Sequence, residues 1–516
     1  MSIVTFGSGR AYYGDLNKTL HFPAYSIRRR AFHTTFFRHT RLSFCSCNTV
    51  NKFLFIKCNF ARQSIWPKCL APGPKSLPTL DINPAFTKSR SFLALCRLDV
   101  YRYLDIGIFI IVRGMAWNLP KSSGPYHVAC LDILTKTGLD STLCRFYYPT
   151  EKFEPTESIC PLWLSSPEYG YGFANFLKFG FAGGLLRWMF GSARVPVYWQ
   201  GPLSLSQEKP RLPVVLFSHG LGANRTVYSY IAYEIASHGF FVAAIEHRDE
   251  SASNTFYLEK TNSGDEKYDK VWLPYKRVQP ATTEERELRN KQVHERAKEI
   301  SKLMDSIELL NAGTLSNILS DFDLTVFKDK IDIDKAAVIG HSFGGATSIT
   351  SLVKDLRFKA GIPLDVWMYP LGPEVYKANI DTPLLFINSE SFQWEANIAS
   401  IRKLDCDVTN TEAERKLVTL CGTVHHTQCD FAFLLSSEWL AKMIRFRGPA
   451  DPKKANDVNM RLILCFLRKH LKLSFAQDEE IEQVVAENQG LVISGSNIEI
   501  DEERLEKSKA SLRAGM

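Results

Sequence analysis

One turn constrains this chain more than any other feature. The apolar run Lys335-Ala336-Ala337-Val338-Ile339 leads directly into Gly340-His341-Ser342-Phe343-Gly344, and Gly345-Ala346-Thr347-Ser348-Ile349-Thr350 follows. A buried strand, a glycine-flanked serine and a run of small residues in immediate succession describe a strained strand-to-helix corner. The glycines remove side-chain clashes there and leave the hydroxyl uncovered. A serine hydroxyl is a poor nucleophile at neutral pH, so this way of presenting one calls for a base beside it and donors for a developing oxyanion. The pentapeptide alone is a weak signal; its strand and its helix make it strong. Ser342 is therefore the candidate nucleophile of a serine hydrolase.

The surrounding pattern agrees. Short apolar runs alternate with helical stretches, which predicts an α/β fold with a mostly parallel central sheet and helices on both faces. Leu212 to Phe217 reads as a buried strand ending in Ser218-His219-Gly220-Leu221-Gly222, Val227 to Ser237 as a helix and Phe240 to Ile245 as the next strand. Residues 257–283 are polar and read as an irregular insertion. Glu284 to Leu310 predicts a long charged helix whose Ile300, Leu303, Met304, Ile307 and Leu310 form one stripe for packing on a sheet. Phe358 to Leu364, Pro383 to Ile387 and Lys416 to Leu420 supply three more strands, and Arg461 to Leu467 begins a closing helix. The catalytic domain is expected over residues 115–475, with 476–516 an acidic, loose tail.

A hydrolase of this kind, the α/β-hydrolase fold, takes its partners in the order serine, acid, histidine. Beyond Ser342 the histidines are His425, His426 and His470. His470 falls in the closing helix and reads as a surface residue. His425 and His426 follow the strand that ends in Cys421-Gly422-Thr423-Val424, and His425, nearer the strand end, is the candidate base. Adjacent histidines point apart and no third ligand is evident, so neither a metal site nor a cofactor is expected. For the acid, Asp365 ends one strand and Glu390 ends the next; spacing leaves both open. Phe343, directly after the nucleophile, and Leu221, in the glycine loop, are the expected oxyanion donors.

Charge and cysteines bear on partners. The formal net charge is +8, but residues 1–114 hold 17 Lys and Arg against 4 acids, leaving 46 and 51 in the remainder. The basic leader carries no nucleic-acid-binding motif, so no nucleic acid partner is expected. Its Arg, Phe and Ser content is that of an organelle transit peptide, and it reads equally as an untranslated stretch upstream of Met115. The seven cysteines after it are an odd number without CxxC spacing, which argues against a disulfide framework and for a reducing compartment. Asn224-Arg225-Thr226 is a glycosylation sequon beside the expected active site, where a glycan would obstruct access. The expected location is cytoplasmic with peripheral membrane association, and mitochondrial or secreted addresses stay open.

Four stretches carry a resemblance: Phe217-Ser218-His219-Gly220-Leu221-Gly222-Ala223, Glu246-His247-Arg248-Asp249, Gly340-His341-Ser342-Phe343-Gly344-Gly345-Ala346-Thr347 and Leu364-Asp365-Val366-Trp367-Met368-Tyr369-Pro370-Leu371-Gly372. Together, over about residues 120–475, they resemble the single-chain platelet-activating-factor acetylhydrolase family. The resemblance implies a calcium-independent phospholipid acyl hydrolase that removes the short or oxidised sn-2 acyl group. It also implies Asp365, not Glu390, as the acid, with His425 as base and Leu221 and Phe343 as oxyanion donors. Val366 and Tyr369 stand where the family pattern has Ala and Phe.

Such an enzyme has to meet a phospholipid at a membrane or lipid surface. Phe173 to Trp199 is apolar, aromatic and lightly cationic; its Phe176, Leu177, Leu185, Leu186, Trp188, Met189 and Phe190 suit shallow insertion. A plain core role is the alternative for that segment. Phe431 to Arg447, with Trp439, Leu440, Met443, Ile444 and Phe446, is a second candidate. A general short-chain carboxylesterase acting on soluble esters would use the same triad, and the oligomeric state is not legible.

Overall fold

The computed structural model describes residues 119–501 apart from 179, 181–182, 207–209, 262–267, 405–412, 436–437, 444–445 and 474–478, together with 503 and 506. The basic leader therefore lies outside the described residues. In chain order the elements are β1 (His127–Leu134), β2 (Leu143–Thr150), α1 (Pro167–Phe176), α2 (Gly183–Phe190), β3 (Tyr198–Trp199), β4 (Leu212–Ser218), α3 (Ser229–Ser237), β5 (Phe241–Ile245), β6 (Asn254–Lys260), β7 (Tyr268–Pro274) and α4 (Thr283–Ala312). They continue as β8 (Ile331–His341), α5 (Phe343–Lys354), β9 (Phe358–Leu364), α6 (Pro373–Lys377), β10 (Leu384–Ser389), α7 (Glu395–Arg402), β11 (Arg415–Leu420), α8 (Phe431–Leu434), α9 (Glu438–Met443), α10 (Pro452–His470), α11 (Ile481–Glu487) and β12 (Val492–Ser494).

Ten strands form one sheet in the order β12-β11-β10-β9-β8-β4-β5-β2-β1-β3. The run from β5 through β11 is parallel throughout, while β1, β2 and β12 add antiparallel pairings at its two sides. Side chains of a strand alternate between faces, and β4 shows what that does here. Its Val215 and Phe217 join the core beneath α3 and α10, with Ile231, Ile235, Leu462 and Phe466, while Val214 and Leu216 join the opposite core with Ile300, Leu303 and Ile349 of α4 and α5. Two apolar layers thus cover the two faces, the α/β arrangement expected from the sequence. The stripe on α4 behaves as predicted, and the helix is bounded by Thr282, which accepts from the Glu285 amide, and by Gly313 in the left-handed region. No helix among the described residues is long and apolar enough to cross a membrane.

Three expectations need correction. Residues 257–283 do not form an irregular insertion alone: β6 and β7 pair antiparallel, and Phe256 and Leu258 alternate inward. The loose tail is folded over part of its length, since α11 buries Ile481 and Val484 against α10, and β12 extends the sheet on β11. Its acidity misled because a few apolar residues, Ile481, Val484 and Val492 with Val485 and Leu491 packed beside them, are enough to dock it. His470, read as a surface residue, is half-buried, with its Nε2 3.0 Å from Glu414.

Candidate active site

Ser342 stands between the end of β8 and the start of α5, with φ +58° and ψ −114°. Few residues other than glycine hold a positive φ, so the corner is a point of backbone strain kept by its surroundings. The Ser342 amide donates to Leu364 O at 2.9 Å, and its carbonyl accepts from Trp367 N at 3.1 Å, fixing the corner to β9 and the turn beyond it. Both glycines are required: a Cβ on Gly340 would lie 2.0 Å from Gly344 O, and one on Gly344 2.0 Å from Ser218 O.

Asp365 follows β9 directly, also with a positive φ of +43°, and is almost wholly buried. Its Oδ2 accepts from His425 Nδ1 at 3.1 Å, and its carboxylate also takes the Ser389 amide and hydroxyl. Burial by itself would raise this carboxyl; the imidazoles of His341 and His425 that face it outweigh burial and bring it down to about 2. His425 opens the short turn after β11, its ring stacked on Phe392 with centroids 3.7 Å apart. Since Nδ1 donates to Asp365, Nε2 is the nitrogen left to accept a proton.

On the other side of Ser342 lies the loop after β4. The Gly220 amide donates to the Tyr228 hydroxyl at 3.1 Å and the Gly222 amide to Ser251 O at 2.8 Å. Leu221 between them and Phe343 at the start of α5 donate to no acceptor among the described residues, so both amides are free to meet an oxyanion. A further chain of contacts ties this loop to Asp365. Tyr228 Oη is 2.8 Å from His341 Nδ1, and His341 Nε2 faces Asp365 Oδ2 at 3.9 Å. Donor counting assigns the Tyr228 hydroxyl proton to Nδ1 and leaves His341 protonated on Nε2. Burial, with His425 4.3 Å away, pushes His341 down to about 4 and keeps it neutral near pH 7.

Ser342 and His425 share a cavity of about 230 Å³ whose walls are Phe173, Phe176, Leu186, Met189, Phe431 and Phe446, among others. Of the residues expected at a lipid surface, Phe176, Leu177, Leu186, Met189 and Phe190 line this cavity. Phe190 is otherwise core, against Trp163 and Phe431. Leu177 and Trp188 are exposed, and the side chain of Leu185 lies outside the described residues, as do those of Trp439, Leu440, Met443 and Ile444.

Residues 113–489 match the model of the platelet-activating factor acetylhydrolase family, isoform II. The chain belongs to this family. Among relatives, a platelet-activating factor acetylhydrolase of Gallus gallus is 40% identical over 74% of this chain and 90% of its own. One of Bos taurus is 40% identical over 74% of this chain and 83% of its own. A putative phospholipase A2 of Schizosaccharomyces pombe is 28% identical over 63% and 83%.

Within this acetylhydrolase-family chain, the two carboxylates that spacing left open are placed very differently. Asp365 faces His425, whereas Glu390 is exposed and accepts from the Gly422 amide. His341, Asp365 and His425 offer ligand atoms within 4.8 Å of one another, the spacing of a cation site. Their hydrogen bonds already engage them, Asp365 with three donors and His341 with Tyr228. Tyr228, His341, Ser389 and Phe392 were not singled out from the sequence. Only His341 carried a signal, as the residue inside the serine turn. Asp430 is another such residue: its carboxylate accepts from Ser229 and Tyr230 at the start of α3 and from Trp163 Nε1, anchoring the chain just after His425.

Proposed function

We propose that this chain hydrolyses the sn-2 acetyl, short or oxidised acyl ester of platelet-activating factor and related phospholipids, working at a membrane or lipid surface. Ser342 is the nucleophile, His425 the general base and acid, Asp365 the residue that orients and charges the imidazole, and Leu221 and Phe343 the oxyanion donors. The observation that carries this reading is the Asp365–His425 hydrogen bond at 3.1 Å beside an apolar cavity that both Ser342 and His425 line. Membership of the acetylhydrolase family supports the substrate class.

His425 Nε2 takes the Ser342 proton as Oγ attacks the ester carbonyl, and the Leu221 and Phe343 amides receive the oxyanion. The same proton passes to the glycerol oxygen, lysophospholipid leaves, and the acyl group stays on Ser342. Water, deprotonated by His425, then releases the acid. The cycle's negative charge is met by two amides and the imidazolium, so calcium independence is expected. A cavity of about 230 Å³ suits a short acyl chain better than a whole two-chain phospholipid. The glycerol and head group would then stay at the mouth, near Leu177.

Comparing a short sn-2 phospholipid in vesicles with soluble nitrophenyl acetate tests the reading. Turnover of both is expected, with fluorophosphonate labelling that disappears in Ser342→Ala. Nitrophenyl acetate turnover without phospholipid turnover would favour a soluble carboxylesterase instead, and labelling that survives Ser342→Ala would remove Ser342 from the nucleophile's role.

A further inference from the structure

The two oxyanion donors belong to elements far apart in sequence, and a single side chain reaches both. Arg296 lies in the middle of α4 and is fully buried. Its Nη1 donates to His219 O at 2.7 Å, at the start of the glycine loop. Its Nη2 and Nε donate to Ser251 Oγ at 2.6 and 2.9 Å, and the Ser251 carbonyl accepts from Gly222 N at 2.8 Å, at the other end of that loop. Leu221 is therefore held between two points that Arg296 fixes, one directly and one through Ser251. The face of the same guanidinium lies 4.4 Å from the centre of the Phe343 ring, against the residue that supplies the second donor. Asp249 Oδ2, 3.0 Å from Nε, balances the charge, and Ser251 Oγ donates to Asp249 Oδ1.

We infer that Arg296 is a positioning residue for the oxyanion hole: it sets the Leu221 and Phe343 amides relative to each other and places a fixed positive charge behind them. This rests on the assignment of those amides as oxyanion donors. Several features favour it over a purely structural role. A buried ion pair with Asp249 alone would need no contact with the glycine loop, yet the guanidinium uses its planar fork to reach His219, Ser251 and Asp249 at once, and its face for Phe343. Lysine has a point charge without the fork, so it cannot hold all four. A preorganised donor set acts through its alignment with the transition state, and losing one donor outright costs 10²–10³ in kcat, so misalignment should cost a fraction of that.

The test measures kcat, KM and inhibition by a trifluoromethyl ketone, whose adduct with serine carries an oxyanion, using nitrophenyl acetate so that lipid binding does not enter. Arg296→Met should lower kcat by about 30-fold or more and Arg296→Lys by about tenfold, with KM within about threefold. Ser251→Ala, which keeps Arg296 but cuts its link to Gly222, should lower kcat by about fivefold. Inhibition by the ketone should weaken in proportion to kcat/KM across the three. Arg145→Met, which removes a buried arginine paired with Asp132 in β1 and β2, serves as comparator and should lower the melting temperature without changing kcat. A folded Arg296→Met with kcat within about twofold of the parent would overturn the inference. If Arg296→Met does not fold, unchanged kcat and unchanged ketone affinity in both Arg296→Lys and Ser251→Ala would overturn it. Failure of the active-site reading itself is separable, because Ser342→Ala would then keep its turnover whatever the arginine variants do.

Discussion

At the scale of single residues, Asp365→Asn should reduce kcat by about 10⁴-fold, since an amide cannot hold the productive tautomer and its charge, while Glu390→Gln should stay within about twofold. Steady-state kinetics on the two variants decides it, and the reverse pattern would exchange their roles. Asp365 and Glu390 each end a strand, and spacing cannot say which carboxylate turns toward His425. That depends on Asp365 taking a positive φ and on Ser389 donating to it across the sheet. Ser342 could be read because its turn is local; the contact between Tyr228 and His341 could not, because it joins residues 113 positions apart. A pH effect follows as well. The folded value for Asp365 is lowered from 3.8 to about 2, so its contribution, roughly 2 kcal/mol, is fully present above pH 4 and is lost as pH falls toward 2. Urea midpoints measured from pH 5 to pH 2 should therefore fall more steeply for the parent than for Asp365→Asn.

Among elements, the strands that carry the site were readable and those at the margins were not. β4 and the second half of β8, Ala336 to Ile339, are apolar runs buried on two faces, and α4 shows its stripe plainly. By contrast, β12 has three residues inside an acidic stretch, and no periodicity can be read over so short a length. Its worth is tertiary: it covers the edge of β11, and α11 adds buried Ile481 and Val484. Ending the chain after Glu480 removes these and Val492, three large side chains at about 1.5–3 kcal/mol each, or roughly 5 kcal/mol in all. Thermal melts should show a marked drop, and light scattering should show self-association through the bared edge. A truncated chain with an unchanged melt would mean that α11 and β12 do not stabilise the sheet.

At the scale of the whole molecule, the proposed work at a lipid surface has to be squared with the 51 acidic and 46 basic residues after residue 114. Their net charge does not favour an anionic bilayer, so the proposed contact would be local and apolar. The helices α1 and α2 lie at the cavity that leads to Ser342, and Leu177 and Trp188 are exposed there beside exposed Lys178 and Arg187. Trp188 does not line the cavity, which lets surface binding be separated from acyl fit. Burying an aromatic side chain in the interface contributes on the order of 1.5–3 kcal/mol, and a charge in its place adds a penalty. Trp188→Glu should therefore lower vesicle binding, and with it phospholipid turnover on vesicles, by about tenfold or more, while nitrophenyl acetate turnover stays within about twofold. Co-sedimentation with phosphatidylcholine vesicles read beside both rates separates the cases. Equal loss on both substrates would place Trp188 in the support of the cavity, and no loss on either would move lipid contact to another face of the molecule.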